Sequence, residues 1–363
     1  MANINVQIVQ HLSPGGIETM ALDLQRHLSD QEQAYIVSLE GNKDESINRW
    51  PVLKPFSDQL IFMNKPAGLH PSFVFTLAKK LKTLGATSVH THHIGPLLYG
   101  AVAARLAKIK TRIHTEHDAW HLNNKRRRWL QRLAIFLAKP RLVADAQLVA
   151  ANMRKHLHID DIKVIRNGID TQRFKPGNKA AARLQLGLPQ DAFIVGSAGR
   201  LEEVKGHKYL IEAFKGVPET AQLAIAGDGS LRESLEKTAK QLGLENRIQF
   251  LGRIDDMPSF YQAIDVFVLP SLQEGMPLSP LEAQACNIPV IVTNTGAASE
   301  TVCPESGLLV EAANAKALSQ AITQTMDRGE SHAPRRFSIE HGDIKRMASE
   351  YAALRHQTLI FGH

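Results

Sequence analysis

Short apolar runs alternate with longer stretches of helical period along the whole chain. The runs at 5–10, 34–39, 60–63, 88–90 and 112–115 predict strands, because compact apolar and β-branched segments fit a buried pleat. Between them, 17–28 places Ile17, Met20, Ala21, Leu24 and Leu28 on one helical face, and 75–84 and 97–107 also read as helices. The pattern restarts after residue 190, with strands at 193–197, 223–226, 248–251, 266–269 and 290–292 and helices between them, including 231–242 and 280–285. Such alternation predicts parallel sheets covered by helices on both faces. Turn signals at Asn167, Gly168, Ile169 and Asp170, then at Pro176 and Gly177, mark a hinge between the halves. A final helix over 338–359 carries Ile344, Met347, Tyr351 and Leu354 on one face. At 363 residues the chain is about twice a typical domain, so two α/β domains are expected.

Composition leaves that picture intact: 44% hydrophobic and 22% charged residues are ordinary for a globular protein. No apolar run approaches the ~18 residues a membrane-spanning helix needs, and the N-terminal stretch lacks the pattern of a secretory signal. A cytoplasmic location is expected. Cys286 and Cys303 are too few for a disulfide framework or a structural zinc site, and are expected to be reduced packing residues. Charge adds one feature. The net +7 is concentrated between residues 101 and 141, where Lys125, Arg126, Arg127 and Arg128 form the densest cluster. A solvated helix face and a surface for an anionic partner both explain it.

Four constellations carry candidate chemistry. Gly15 and Gly16 follow the first strand and open a helix, where ligand oxygens can approach backbone N–H groups; a plain tight turn reads equally well, and the full dinucleotide fingerprint is absent. Gly199 and Arg200 follow the strand at 193–197, with Lys205 and Gly206 five residues on. Two cations at a strand's C-terminal end suit a diphosphate. Glu274 follows the apolar run 266–269, and Glu282 falls one turn into the next helix, so both carboxylates can face one crevice and bond sugar hydroxyls. His90, His92, His93, His114 and His117 gather near strand ends; their spacing does not match a helical zinc motif, so polar groups lining a cleft are expected.

Together these pieces resemble the retaining glycosyltransferases of family 4, across essentially the whole chain. The motifs are Gly-Gly-x-Glu at 15–18, Val-x-x-Asn-Gly-Ile-Asp at 164–170, Gly-Arg-x4-Lys-Gly at 199–206, Ala-Gly-Asp-Gly at 226–229 and Glu-x7-Glu at 274–282. The resemblance implies a GT-B fold: two Rossmann-like parallel-sheet domains facing across a cleft, with a C-terminal helix crossing back to the N-domain. It implies an acceptor-binding domain at 1–168, a nucleotide-sugar-binding domain at 169–337 and the returning helix at 338–363. It assigns Arg200 and Lys205 to the departing diphosphate, Glu274 and His117 to the donor sugar, and Glu282 to the ribose. Gly16 and Gly199 lie by the phosphates. Gly275, Met276, Pro277 and Leu278 contact sugar and phosphate through backbone, and Arg253 and Ile254 meet the base. His114 is a weaker candidate than His117 for the cleft histidine.

Breaking a sugar–phosphate bond leaves negative charge on the nucleotide, and preorganised cations lower that barrier. No Asp-x-Asp is found, so no metal or cofactor is expected beyond the nucleotide-sugar substrate. The resemblance implies hexosyl or N-acetylhexosaminyl transfer with retention of configuration, from a UDP-sugar in preference to a GDP-sugar. The implied acceptor is lipid-linked or a saccharide in cell-surface polysaccharide, lipopolysaccharide or glycolipid synthesis. In that setting the basic stretch, followed by Trp129, Leu130, Leu133, Phe136 and Leu137 at helical spacing, reads as a peripheral contact with the cytoplasmic face of an anionic inner membrane. The alternative is that these apolar residues pack into the core. Rival functions are a GT-B-fold nucleotide-sugar epimerase, a catalytically dead scaffold and a polyanion-binding protein. Nucleic acid is not an expected partner, since no recognition motif is found and aromatic residues make up 6%.

Overall fold

The computed structural model describes residues 3–28, 32–328 and 333–360, with side chains for all of these except 357–360. They form two compact units, one from 1–167 together with 344–363, the other from 168–343.

The first unit holds a seven-stranded parallel sheet: β1 Asn3–Val9, β2 Glu32–Ser38, β3 Leu60–Phe62, β4 Ser88–His92, β5 Thr111–Glu116, β6 Arg141–Ala144 and β7 Ile162–Val164, in the order β3-β2-β1-β4-β5-β6-β7. The second holds six parallel strands: β8 Phe193–Ala198, β9 Ala221–Ala226, β10 Ile248–Gly252, β11 Val266–Leu269, β12 Val290–Thr293 and β13 Leu308–Val310, in the order β10-β9-β8-β11-β12-β13. Every residue of β4, β11 and β12 is buried, as expected of strands covered on both faces. In each sheet the strand order reverses once, between β1 and β4 and between β8 and β11. There successive connections leave on opposite faces, and the loops beyond the strands' C-terminal ends open a crevice.

Three strands escape the sequence pattern: β6, β7 and β13 have only 4, 3 and 3 residues. The helix expected at 97–107 is the end of a longer one that starts at Ile94 and contains a π segment, Leu97–Ala101. The tail expected as one helix is two, Ala333–Gly342 and Ile344–Ile360. The first stays with the second unit, where Ser338 Oγ donates to the Leu281 carbonyl at 2.8 Å. The other belongs to the first unit: Ile344, Met347, Tyr351 and Leu354 pack with Met20, Leu24, Ile113, Val143 and Ile165 in one buried cluster. Arg355 adds an ion pair to Glu32 at 3.0 Å.

The helix Lys125–Ala138 is capped by Asn124, whose side chain accepts from the N–H groups of Arg126 and Arg127 at 3.0 and 3.1 Å. Its buried positions are Gln131, Ala134 and Ala138. Trp129, Leu133, Phe136 and Leu137 face outward, 61%, 39%, 72% and 48% exposed, so the core-packing alternative is overturned for these four. Small residues cover the inner face because this helix lies against the segment containing Leu97 and Ala101. No helix among the described residues is long and apolar enough to cross a membrane.

Candidate functional site

In the second unit the loops after β8 and β11 carry most of the candidate residues, and close backbone approaches lock them together. The Leu272 N–H donates to the Val204 carbonyl at 2.8 Å. Gly206 has φ +65°, and a Cβ there would lie 2.1 Å from the Pro270 oxygen, so the crossing requires glycine. Gly296, φ +53°, presses on the other side, with a Cβ placed 1.7 Å from the Glu274 oxygen. Gly227 touches Gly199 in the same way, while the Gly199 N–H donates to Ala226 at 3.0 Å.

Within that frame Lys205 Nζ donates to Glu274 Oε1 at 2.6 Å, and Ser271 Oγ donates to the same oxygen at 2.6 Å. Glu274 is 7% exposed, so its charge depends on these partners. Gly275, Met276, Pro277 and Leu278 continue the loop into the helix Ser279–Ala285, with the Ala297 N–H donating to the Gly275 carbonyl at 3.1 Å. Glu282 lies in the first turn of that helix and accepts from Tyr261 Oη at 2.7 Å. Burial and the Glu282 charge raise the Tyr261 hydroxyl well above its ordinary value and push the Cys286 thiol up to about 12. Cys286 and Cys303 are both free and buried. Arg200 is exposed on the loop after β8. Arg253 and Ile254 follow β10, two strands from β8, and Arg253 pairs with Asp255 at 3.3 Å. The structure thus gathers Gly199, Lys205, Glu274 and the 275–278 backbone, and sets Arg253 and Ile254 apart from them. Next to Gly206 the His207 ring is 3% exposed with no partner at either nitrogen; burial and Lys205 push it down to about 4, so it is neutral.

In the first unit the parallel register sets the ends of β1, β4, β5 and β6 side by side. His117, just past β5, is 5% exposed, and both ring nitrogens are engaged: Nε2 with His92 Nδ1 at 3.1 Å, Nδ1 with Asp145 Oδ2 at 3.2 Å. Asn167 Nδ2 donates to the same Asp145 oxygen at 3.0 Å. Burial raises the Asp145 carboxyl, and the bonds from His117 and Asn167 work against that rise. Gln7 Oε1 lies 3.3 Å from His92 Nε2. Burial drives the His90 and His92 rings well below the ordinary histidine range.

Glu116 anchors a second network. Its carboxylate has no exposed area and meets His93 Nδ1 at 3.1 Å, Gln131 Nε2 at 2.8 Å and His114 Nε2 at 3.5 Å. Burial opposes its charge, yet the bonds from His114 and His93 hold it well below the usual carboxylate range. Burial likewise opposes a cation on His93, and Glu116 overrides it, raising His93 to about 9. His114 lies fully buried against Thr91 Oγ1 at 3.1 Å. Gly16 begins the helix Gly16–Arg26 in an exposed position after an extended Gly15. Among the described residues no group of three or more His, Cys, Asp and Glu is arranged to hold a metal ion.

Gln7, Asp145, Ser271, Tyr261 and His207 are site residues that the sequence pattern does not single out, and Asn167 stands there only as a turn and motif residue. Asp145 alone carries a signal, an acid directly after an apolar run.

The two sheets with their switch-point loops define the GT-B class. A solved structure of Anabaena Alr3699/HepE in complex with UDP and glucose superposes with a TM-score of 0.83 over 97% of this chain and 98% of that one, at 22% identity, which bears on the fold. Residues 14–173 match the family described as Glycosyltransferase Family 4, and 178–338 match Glycosyl transferases group 1. The UDP-Gal:alpha-D-GlcNAc-diphosphoundecaprenol alpha-1,3-galactosyltransferase of Escherichia coli is 34% identical over 273 residues, 70% of each chain. The putative glycosyltransferase EpsF of Bacillus subtilis (strain 168) is 28% identical over 307 residues, 80% of this chain and 79% of that one. The chain belongs to glycosyltransferase family 4, and it is a glycosyltransferase.

Proposed function

We propose that this enzyme transfers a hexosyl or N-acetylhexosaminyl group from a UDP-sugar, without a metal and with retention of configuration, to a lipid-linked or saccharide acceptor of cell-surface polysaccharide or glycolipid synthesis. The observation that carries the reading is the Lys205–Glu274 pair at the β8–β11 crevice. When the anomeric C1–O bond breaks, the electron pair goes to the diphosphate. Lys205 and Arg200 supply positive charge there, held by loops that do not need to reorganise. Glu274 positions Lys205 and faces the sugar. Glu282 and the 275–278 backbone hold the ribose and phosphates, Arg253 and Ile254 the base, and Gly16 and His117 complete the donor contacts. UDP and a lipid-linked acceptor are favoured because the Escherichia coli relative's name carries both.

The test is a thermal-shift panel of UDP, GDP, ADP and their sugar conjugates with and without EDTA, followed by the anomeric configuration of the product. Binding to the native state raises the melting temperature by mass action. A shift with UDP that EDTA leaves unchanged, and an α-linked product from an α-linked donor, are expected. A shift confined to GDP, loss of transfer in EDTA, or an inverted product would each overturn its own part.

We propose that the first unit also meets an anionic membrane surface. The helix 125–138 adjoins Val102–Leu106, which adjoins Phe73–Thr83. These helices together expose Phe75, Leu106, Trp129 and Phe136 among Lys79, Lys82, Arg105, Lys125, Arg126 and Arg127. Interleaved apolar and basic groups suit an anionic bilayer surface. The double variant Trp129→Ser, Phe136→Ser should keep its melting temperature and lose flotation with phosphatidylglycerol vesicles; undiminished flotation would refute the assignment.

A further inference from the structure

We infer that Gln7 and His92 are positioning residues that hold His117 as a doubly protonated ring against Asp145. The hydrogens available to these groups require it. The Ala21 carbonyl can only accept, so the Gln7 atom 2.8 Å from it is the amide NH2, and the Gln7 atom facing His92 is therefore the carbonyl oxygen. That oxygen also only accepts, so His92 carries its proton on Nε2. The two remaining contacts, His92 to His117 at 3.1 Å and His117 to Asp145 at 3.2 Å, each need a hydrogen as well. Three contacts require three protons, whereas two neutral imidazoles and one carboxylate hold only two. With two, one pair of buried lone pairs would face each other unbridged, which is costly where water is excluded.

The third proton belongs on His117 and not on Asp145, whose Oδ2 also accepts from Asn167 Nδ2 at 3.0 Å, a bond that favours the ionised carboxylate. His92 is 1% exposed with the His90 ring tilted against it at 4.1 Å, and burial disfavours a cation there. His117 alone has a carboxylate at its second nitrogen. The charged and titratable groups around His117 are Asp145 beyond β6, His90 and His92 on β4, His93 beyond it and Glu18 on the helix Gly16–Arg26. His93 pairs with Glu116, so its charge is already matched. The inferred state is thus a neutral His92 donating to Gln7 and an imidazolium His117 donating to both His92 and Asp145. A histidine so held keeps its charge and orientation through neutral pH, where a free one would be mostly neutral. The bearing of this on turnover rests on the donor-site assignment of His117; the protonation does not.

Long-range 1H–15N spectra of the histidine side chains, recorded from pH 5.5 to 9, test it. Expected are an Nε2–H tautomer for His92 and two protonated nitrogens for His117 up to at least pH 8. A His117 that titrates near 6.5, or a His92 protonated on Nδ1, would overturn the inference. In Gln7→Leu the carbonyl is gone, so His92 can move its proton to Nδ1 and donate to His117, and His117 should then show a single protonated nitrogen at pH 7. An unchanged His117 titration in that variant would also overturn it. In turnover, Gln7→Leu and His92→Phe should lower kcat about tenfold with donor KM unchanged and move the alkaline limb of the kcat profile to lower pH. His92→Gln, which retains an acceptor, should recover part of the loss. A merely structural role would move kcat and melting temperature together and leave the limb in place. If the spectra behave as expected but no sugar is transferred, the donor-site reading fails and the protonation stands; transfer with a titrating His117 gives the reverse.

Discussion

Lys205 and Glu274 satisfy each other at 2.6 Å, and the carboxylate is the more buried partner. Lys205→Ala should lower turnover by ~10²–10³, the usual effect of removing one preorganised donor to developing charge. Nucleotide release measures this, and a melting temperature within a few degrees of wild type would separate it from unfolding. Full activity in that variant would refute the diphosphate assignment. His93 gives a pH prediction with a definite sign. Its folded value of about 9 exceeds the ordinary 6.5, so its pairing with Glu116 contributes full stability below about 6.5 and loses it as pH rises through 9. Chemical denaturation at pH 6 and 9 should show that loss, and His93→Asn should flatten it. The motif residues of the β8–β11 crevice are legible because each lies on one short loop with its neighbours. The His92–His117–Asp145 chain is not, because its members meet only when three parallel strands take their register.

Elements show where periodicity informs and where it stops. The runs at 193–197, 266–269 and 290–292 read as strands because they are continuous and apolar, and they are β8, β11 and β12. Arg141 and Asp145 leave only a short apolar run between them in β6, and β13 is three residues long, so neither reaches strand length in the sequence pattern. In the helix 125–138 the spacing of Trp129, Leu133 and Phe136 groups them on one side, but spacing carries no information about which side the protein covers. Alanines and Gln131, small or polar in the sequence, form the inner face. At the loop scale, Gly206→Ala would put a side chain into the left-handed region, at ~1–2 kcal/mol, and also drive the Pro270 carbonyl away. The expected result is a lower melting temperature together with weaker UDP binding, read by calorimetry; unchanged binding would show that the 270–278 loop tolerates displacement.

For the molecule as a whole, two α/β domains follow from a strand–helix alternation that runs twice, and the GT-B class is what the family motifs imply. The positions where the chain leaves and rejoins the first unit depend on tertiary contacts instead. The second unit closes on itself, with the Ile169 N–H donating to the Gly342 carbonyl at 2.8 Å and Ile169 bridging to Asp343. A fragment of residues 168–343 should therefore unfold cooperatively on its own. A chain cut after Asp343 should retain that transition and lose the one belonging to the first unit, because the apolar cluster around Met20, Ile113 and Val143 would be open to water. Calorimetry of both fragments checks this, and two intact transitions in the truncated chain would contradict it.

The same helix has a consequence for biogenesis. A ribosome makes the first sheet early, but Ile344, Met347, Tyr351 and Leu354 emerge only after the entire second unit. The domain begun first is thus finished last. For most of translation it presents an apolar flank, which makes the nascent chain a client for chaperones and makes late termination of synthesis more damaging than its few missing residues would suggest.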